Sequence, residues 1–206
     1  MENTERFVDT GKLLTGFADE ILVNCADCGT PGVVQATWVP YRWKAKFECA
    51  NCCLTLCSES GDWVGAVRLS GRQPCGYCGH RWLKPAIEYE APPIEPLSQL
   101  VADCPECGRQ TLVNASLART FPTDKCCDPH FGLPLKLAVS TRHGIVWAYN
   151  LRHITELSAY VNAKLRVRQN SGNSAMFSRI PKWMKLAKHR EEIAKALGKL
   201  NNMTQP

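Results

Sequence analysis

Residues 25–57, CADCGTPGVVQATWVPYRWKAKFECANCCLTLC, carry two C-x2-C pairs, Cys25/Cys28 and Cys49/Cys52, with twenty residues between them. Residues 75–108 repeat the arrangement with Cys75/Cys78 and Cys104/Cys107, here with twenty-five residues between the pairs. A C-x2-C knuckle is a tight turn that points both sulfurs inward with backbone N–H groups directed at them. Two knuckles complete a tetrahedral site with metal–sulfur distances of about 2.3 Å. Both intervals suit a small ribbon of short strands folded around one ion. Inside the first, Trp43, Ala45 and Phe47 alternate with Lys44 and Lys46, the period of a strand with one buried face.

Working outward, the chain has 206 residues, twelve cysteines, 45% hydrophobic and 21% charged residues. That composition is globular, and the length suits one medium domain or two small ones. The stretch MENTERFVDTG has no basic segment followed by an apolar one, and no uncharged apolar run approaches the length of a membrane span. The expectation is a soluble cytoplasmic protein with reduced thiols and no membrane partner, in which repeated C-x2-C pairs mean metal and not disulfides. The ligand set predicted is Cys25, Cys28, Cys49 and Cys52 for one zinc ion and Cys75, Cys78, Cys104 and Cys107 for a second. Gly29, Gly76, Gly79 and Gly108, at positions of the knuckles that need a left-handed residue, favour this sequential pairing. A different pairing joins Cys49/Cys52 to Cys75/Cys78, leaving Cys104/Cys107 to Cys127 and His130, and Cys25/Cys28 to Cys53 and Cys57. Under the sequential pairing, His130 is a surface loop residue and Cys53, Cys57, Cys126 and Cys127 are spare.

Four thiolates leave no coordination position for water, so such sites are structural and the expected protein is not an enzyme. Pro74-Cys75-x2-Cys78 matches half of a zinc deaminase signature, yet the required H-x-E upstream is missing because the first histidine is His80. Asp128, His130, Asn150 and His153 supply the residue types of an HNH nuclease, with Asn150 too close to His153 at a helix start for good geometry. No phosphate-binding G-x-x-x-x-G-K-[ST] loop occurs. No small-molecule substrate is predicted.

Coarse periodicities complete an α+β expectation. Phe7, Leu13, Leu14, Phe17, Ile21 and Leu22 suggest a helical segment over 1–24, followed by zinc ribbons over 25–70 and 71–125 and a hairpin with two helices over 126–206. Pro92, Pro93 and Pro96 mark an extended linker. The runs LPLKLAVS and GIVWAY read as a hairpin broken at Arg142-His143-Gly144. Asn150 caps an amphipathic helix predicted over 151–168, built on Leu151, Ile154, Leu157, Val161 and Leu165. A second helix is predicted from about Ser178–Pro181 to Gly198, through Trp183, Ala187, Ile193, Ala194 and Leu197.

The segments Phe131-Gly-Leu-Pro-Leu135, Trp147-Ala-Tyr-Asn150, Tyr160-Val161, Leu165-Arg166, Ile180-Pro-Lys-Trp183 and Ala187-Lys-His-Arg190 resemble bacterial proteins labelled zinc-ribbon or transcription-factor-B-type zinc-ribbon proteins. The resemblance covers most of 128–200, and the knuckles upstream resemble that family's N-terminal ribbon. It implies an architecture and no particular reaction. Two full sets of knuckles and the additional Cys126-Cys127 depart from the family pattern.

The formal charge of +6 is unevenly placed. Residues 126–206 hold thirteen Lys/Arg against four Asp/Glu, whereas residues 1–125 hold twelve against fifteen. Deprotonated cysteines around two divalent ions make the first region more acidic still. The sequence therefore reads as an acidic zinc module joined to a basic helical tail. Arg179, Lys182, Lys185, Lys188 and Arg190 are the candidate contacts to a nucleic-acid backbone. Trp38, Tyr41, Arg42, Trp43, Lys44 and Lys46 form a second candidate surface where rings could stack bases, with Trp43 expected in the core. The competing partner is a protein complex, engaged by an apolar stripe of Leu151, Ile154, Leu157 and Trp183.

Overall fold

Of the helical segment expected over 1–24, residues 1–5 lie outside the described residues and the rest forms two strands joined through a 3-10 turn, with no α-helix. In the computed structural model, which describes residues 6–95, 97–122, 125–168 and 174–204, β1 (Arg6–Asp9) buries Phe7 and Asp9 and exposes Arg6 and Val8. The apolar spacing read as a helical face is split by Gly11, at φ +83°, and only a 3-10 turn at Leu14–Phe17 separates β1 from β2 (Glu20–Asn24). The chain is α+β and divides into two compact units, Met1–Asp62 with Cys126–Pro206, and Trp63–Lys125.

In the first unit, β2, β3 (Pro31–Val39), β4 (Arg42–Glu48) and β5 (Thr55–Cys57) form an antiparallel sheet in sequence order. The alternation at 43–47 is realised: Ala45 and Phe47 are buried and Lys44 and Lys46 exposed. Ile21, Val23, Val34 and Leu56 complete this buried face. Gly32 is needed because a Cβ there would lie 2.8 Å from the Phe47 ring.

In the second unit, β6 (Val67–Gly71), β7 (Ala86–Tyr89), β8 (Gln99–Asp103) and β9 (Gln110–Arg119) form an antiparallel sheet in the order β7-β6-β9-β8. Val67, Leu69 and Leu100 are buried in this sheet, and Cys75, Leu83, Cys104 and Val113 pack together in a small cluster beside Ala102. Tyr89 ends β7 at one edge and Gln99 begins β8 at the other, and the proline-bearing segment between them, described apart from Pro96, contains no regular element.

The rest of the first unit supplies its main hydrophobic core. β10 (Ala138–Thr141) and β11 (Gly144–Trp147) make the expected hairpin. The helix α1 (Leu151–Asn162) starts at Asn150, whose side-chain oxygen accepts from the His153 N–H at 3.0 Å. α1 stops well before residue 168. Ala163 leaves the helical region, and β12 (Leu165–Arg168) runs parallel to β1, a pairing of distant segments that local periodicity cannot announce. The predicted second helix is also broken. α2 (Met176–Arg179) and α3 (Lys182–Lys185) are single turns, separated at Ile180 because the residue before a proline avoids helical geometry. After a 3-10 turn at Ala187–His189 comes α4 (Arg190–Met203), with Glu191 and Glu192 in its first turn, where the helix dipole favours them. Ile193, Leu197 and Leu200 of α4 are buried, as are Ile154, Leu157 and Val161 of α1.

Candidate metal centres

The four C-x2-C segments adopt one backbone conformation. In each, the N–H of the residue after the second cysteine donates to the carbonyl of the first: Gly29 to Cys25 at 3.0 Å, Cys53 to Cys49 at 3.0 Å, Gly79 to Cys75 at 3.2 Å and Gly108 to Cys104 at 2.9 Å. The first cysteine's own N–H donates to the carbonyl five residues on, at Thr30, Leu54, His80 and Arg109. These paired bonds require the fifth residue to turn left-handed, and Gly29, Cys53, Gly79 and Gly108 have φ of +72°, +60°, +72° and +68°. Glycine adopts that conformation without strain, and Cys53 is the exception.

Every knuckle closes a hairpin: 25–28 joins β2 to β3, 49–52 joins β4 to β5, 75–78 joins β6 to β7, and 104–107 joins β8 to β9. Antiparallel pairing of β3 with β4 and of β6 with β9 brings two knuckles to the same end of each sheet. The sulfurs of Cys25, Cys28, Cys49 and Cys52 all lie within 4.8 Å of one another, as do those of Cys75, Cys78, Cys104 and Cys107. The closest pairs are Cys28–Cys49 at 3.4 Å, Cys25–Cys52 at 3.5 Å, Cys78–Cys104 at 3.6 Å and Cys75–Cys107 at 3.7 Å. Sulfurs on a tetrahedron around a zinc-sized ion stand about 3.8 Å apart, far from the roughly 2 Å of a disulfide. Each four-cysteine set can therefore hold one metal ion. In each knuckle the first cysteine is buried and the second exposed, so the ligands bridge core and surface.

Four sulfurs this close cannot all ionise unless a cation neutralises them. The Thr30 hydroxyl, 3.3 Å from Cys28 Sγ, together with the Thr30 backbone N–H and Asn51, pulls the Cys28 thiol down to about 5. The Cys78 and Tyr77 N–H groups pull Cys75 down to about 6, with the Tyr77 nitrogen 3.4 Å from the sulfur. Their neighbours move the other way. Although the Leu54 N–H lowers it, Cys52 is pushed up to about 12 by desolvation and by the thiols of Cys25, Cys49 and Cys28. Although the His80 N–H lowers it, Cys78 is likewise pushed up to about 12 by desolvation and by Cys104, Cys107 and Cys75. A divalent cation removes that opposition and deprotonates all four.

No known family, characterised protein or solved structure matches this chain. The centres are defined by their donor sets and backbone geometry, which also reveal a relative within the chain. Asp128-Pro129-His130-Phe131-Gly132-Leu133 repeats the knuckle conformation without thiols. Gly132, at φ +77°, donates to the Asp128 carbonyl at 3.2 Å, and Asp128 donates to Leu133 at 2.9 Å. The Asp128 carboxylate, fully buried, stands where the first thiolate would be and accepts the N–H groups of His130, Phe131 and Leu133 at 2.8, 3.0 and 2.7 Å. Burial raises its pKa and these three donors oppose the rise. Sequence reading missed this turn, although Gly132 follows Asp128 at the same offset as Gly29 follows Cys25.

The other singled-out residues are placed as follows. His130 is buried, not on the surface, and its Nε2–H donates to the Ala18 carbonyl at 2.8 Å. Cys127 and His130 join no ligand set: among the described residues only the two sequential sets gather. Asp128, His130, Asn150 and His153 each serve a backbone group, Asn150 donating to Phe17 and Glu20 and His153 accepting from the Tyr149 N–H. Of the apolar stripe, Ile154 and Leu157 are buried within the unit, Trp183 is half-buried and Leu151 is exposed. The interleaved aromatics and cations of β3 and β4 separate by strand period. Trp38 and Trp43 pair across the hairpin with ring centroids 5.3 Å apart, while Arg42, Lys44 and Lys46 occupy the opposite face, where Lys44 reaches Glu59 at 2.8 Å. Trp43, expected in the core, is half-buried and packs edgewise on His130.

Of the five basic candidates, Arg179, Lys182 and Lys188 are exposed. Lys185 and Arg190 are half-buried, and the Lys185 ammonium donates to the Ser178 carbonyl at 3.0 Å. Lys188 borders a shallow depression with Arg142, Lys195, Glu191 and Glu192. No helix among the described residues is long and apolar enough to cross a membrane.

Proposed function

We propose that this chain is a non-enzymatic zinc-ribbon protein that binds the phosphate backbone of nucleic acid, by itself or within a nucleic-acid-processing complex. Each ribbon is a pair of knuckle hairpins locked by one structural Zn2+, the ion favoured by four thiolates in tetrahedral array. The resemblance of the C-terminal motifs to bacterial zinc-ribbon proteins supports this reading. The reading of the partner is carried by one observation. Between Glu156 and Glu191 the chain has eight Lys/Arg and no carboxylate, and Arg179, Lys182 and Lys188 of this run are exposed. A backbone of phosphates exchanges its condensed counterions for such cations, which makes binding favourable and steeply dependent on salt.

The test is fluorescence anisotropy with labelled single- and double-stranded DNA and RNA between 50 and 200 mM salt, salt concentrations over which a few phosphate contacts change affinity by orders of magnitude. Binding should weaken over that interval and weaken again for Lys182→Glu combined with Lys188→Glu. Affinity indifferent to salt and to both substitutions overturns the nucleic-acid reading. Lys185 is left intact, since its ammonium holds a backbone carbonyl. Metal analysis tests the ribbon assignment separately, with two zinc ions per chain expected.

A further inference from the structure

The unit formed by the two ends of the chain contains an apolar cavity of about 430 Å3, between the 3-10 turn at Leu14–Phe17, β11, α1 and the turns α2 and α3. That volume falls within the range of small-molecule sites. Its walls are hydrocarbon and aromatic, drawn from Leu14, Ile145, Trp147, Leu157, Met176 and Met184. Thr15, Tyr149 and Ser174 add hydroxyls to the lining, and His153 and Arg179 add an imidazole and its one guanidinium.

His153 is 3% exposed, with Phe17 stacked on its ring at 5.0 Å and Trp147 edgewise at 5.7 Å. Its Nδ1 accepts the Tyr149 N–H at 3.2 Å, so the neutral ring carries its proton on Nε2. Burial depresses its pKa to about 4, which keeps that neutral form at physiological pH. The Nε2–H has no acceptor among the described residues and is not sealed off from solvent, so a molecule in the space that His153 lines can reach it. Arg179 is the single lysine or arginine of the lining. A mostly apolar wall with a neutral imidazole donor and a single guanidinium complements a molecule with an apolar body and a single anionic head.

We infer that the cavity binds a hydrophobic monocarboxylate, an acyl or aryl acid, whose carboxylate accepts the His153 Nε2–H and meets Arg179 while its apolar body fills the space beside Trp147 and Met184. A neutral ligand could accept hydrogen bonds but would lack the charge pairing with Arg179.

The experiment is isothermal titration calorimetry of the full chain, purified with its metal, against 1-naphthoate, decanoate and the uncharged isostere 1-naphthamide. One acid should bind per chain, naphthoate marking an aryl site and decanoate an acyl site. Arg179→Gln and His153→Phe should each weaken it at least tenfold, and Met184→Trp, which fills the cavity, should abolish it. Lys182→Glu with Lys188→Glu should leave it unchanged, so failure here is distinguishable from failure of nucleic-acid binding. Near-UV circular dichroism verifies folding of each variant. If His153→Phe does not fold, Arg179→Gln, at an exposed position, carries the comparison. No binding of either acid at 1 mM, naphthamide binding as tightly as naphthoate, or affinity unaffected by Arg179→Gln overturns the inference.

Discussion

The β2-β3-β4-β5 sheet and the β7-β6-β9-β8 sheet are built from the same part, a strand–knuckle–strand hairpin used twice, yet they join in opposite ways. In the first, each knuckle links an edge strand to an inner one, and the inner strands β3 and β4 follow each other through a turn at Pro40-Tyr41. In the second, the inner strands β6 and β9 are the first and last of the unit, and the chain passes from edge to edge through the proline-bearing segment after Tyr89. Each sheet is a circular permutation of the other. A metal knuckle thus fixes a hairpin and its left-handed fifth residue but leaves strand order free. Strand order follows from the connection between hairpins: two residues permit only neighbours, whereas a longer extended segment permits opposite edges.

The two sheets also differ in what supports them. The first shares its unit with the α1, α4 and β10–β11 core, including Leu133, Leu137, Val146, Ile193 and Leu200. Half of the small cluster around Leu83 and Val113 in the second consists of cysteines of the candidate metal set, Cys75 and Cys104. Metal loss should therefore separate them most. A structural four-thiolate site contributes folding free energy on the order of 10 kcal/mol. Cys104→Ser or chelation should leave Leu83 and Val113 amides unprotected in hydrogen exchange, while Cys49→Ser should leave Ile193 and Leu197 of α4 slow. Equal loss in both units would break the contrast.

The metal-free knuckle provides the next largest effect. Asp128→Ala strands three buried N–H groups and should destabilise the first unit by roughly 3–5 kcal/mol in denaturant, with Asp128→Asn costing less and Trp63–Lys125 unaffected. A smaller term comes from His153. Its folded pKa, about 4, lies below the ordinary 6.5, so the unfolded chain binds the proton that the folded chain refuses. Stability is complete above about pH 6.5 and falls by up to about 3 kcal/mol as pH drops toward 4, a slope that His153→Phe should flatten in urea titrations. Smallest is Cys53→Gly, which gives the one strained knuckle the residue found in the other three and should raise stability by about 1 kcal/mol, measured as a higher Tm. No gain there would mean that the Cys53 side chain contributes something the glycine lacks.

Much of this was legible in advance wherever the cause is local. Glycines after the second cysteines, the Trp43-Ala45-Phe47 alternation, the Arg142–Gly144 hairpin break and the Asn150 cap each act within a few residues. The misread segments were those decided elsewhere. Leu165-Arg166-Val167-Arg168 fits both a helix end and a strand, and only β1, more than 150 residues away in sequence, selects the strand. The Asp128 turn went unseen because a carboxylate does the work expected of thiolate and metal.

What the sequence determined by itself is the set of knuckles and the metal chemistry they permit, since thiol spacing and a left-handed fifth residue are short-range constraints. The tertiary structure alone decided the order of the strands, the burial of Ile154, Leu157 and His130, and the cavity around His153. Those depend on which apolar faces meet, and that is settled by packing between segments far apart in the chain.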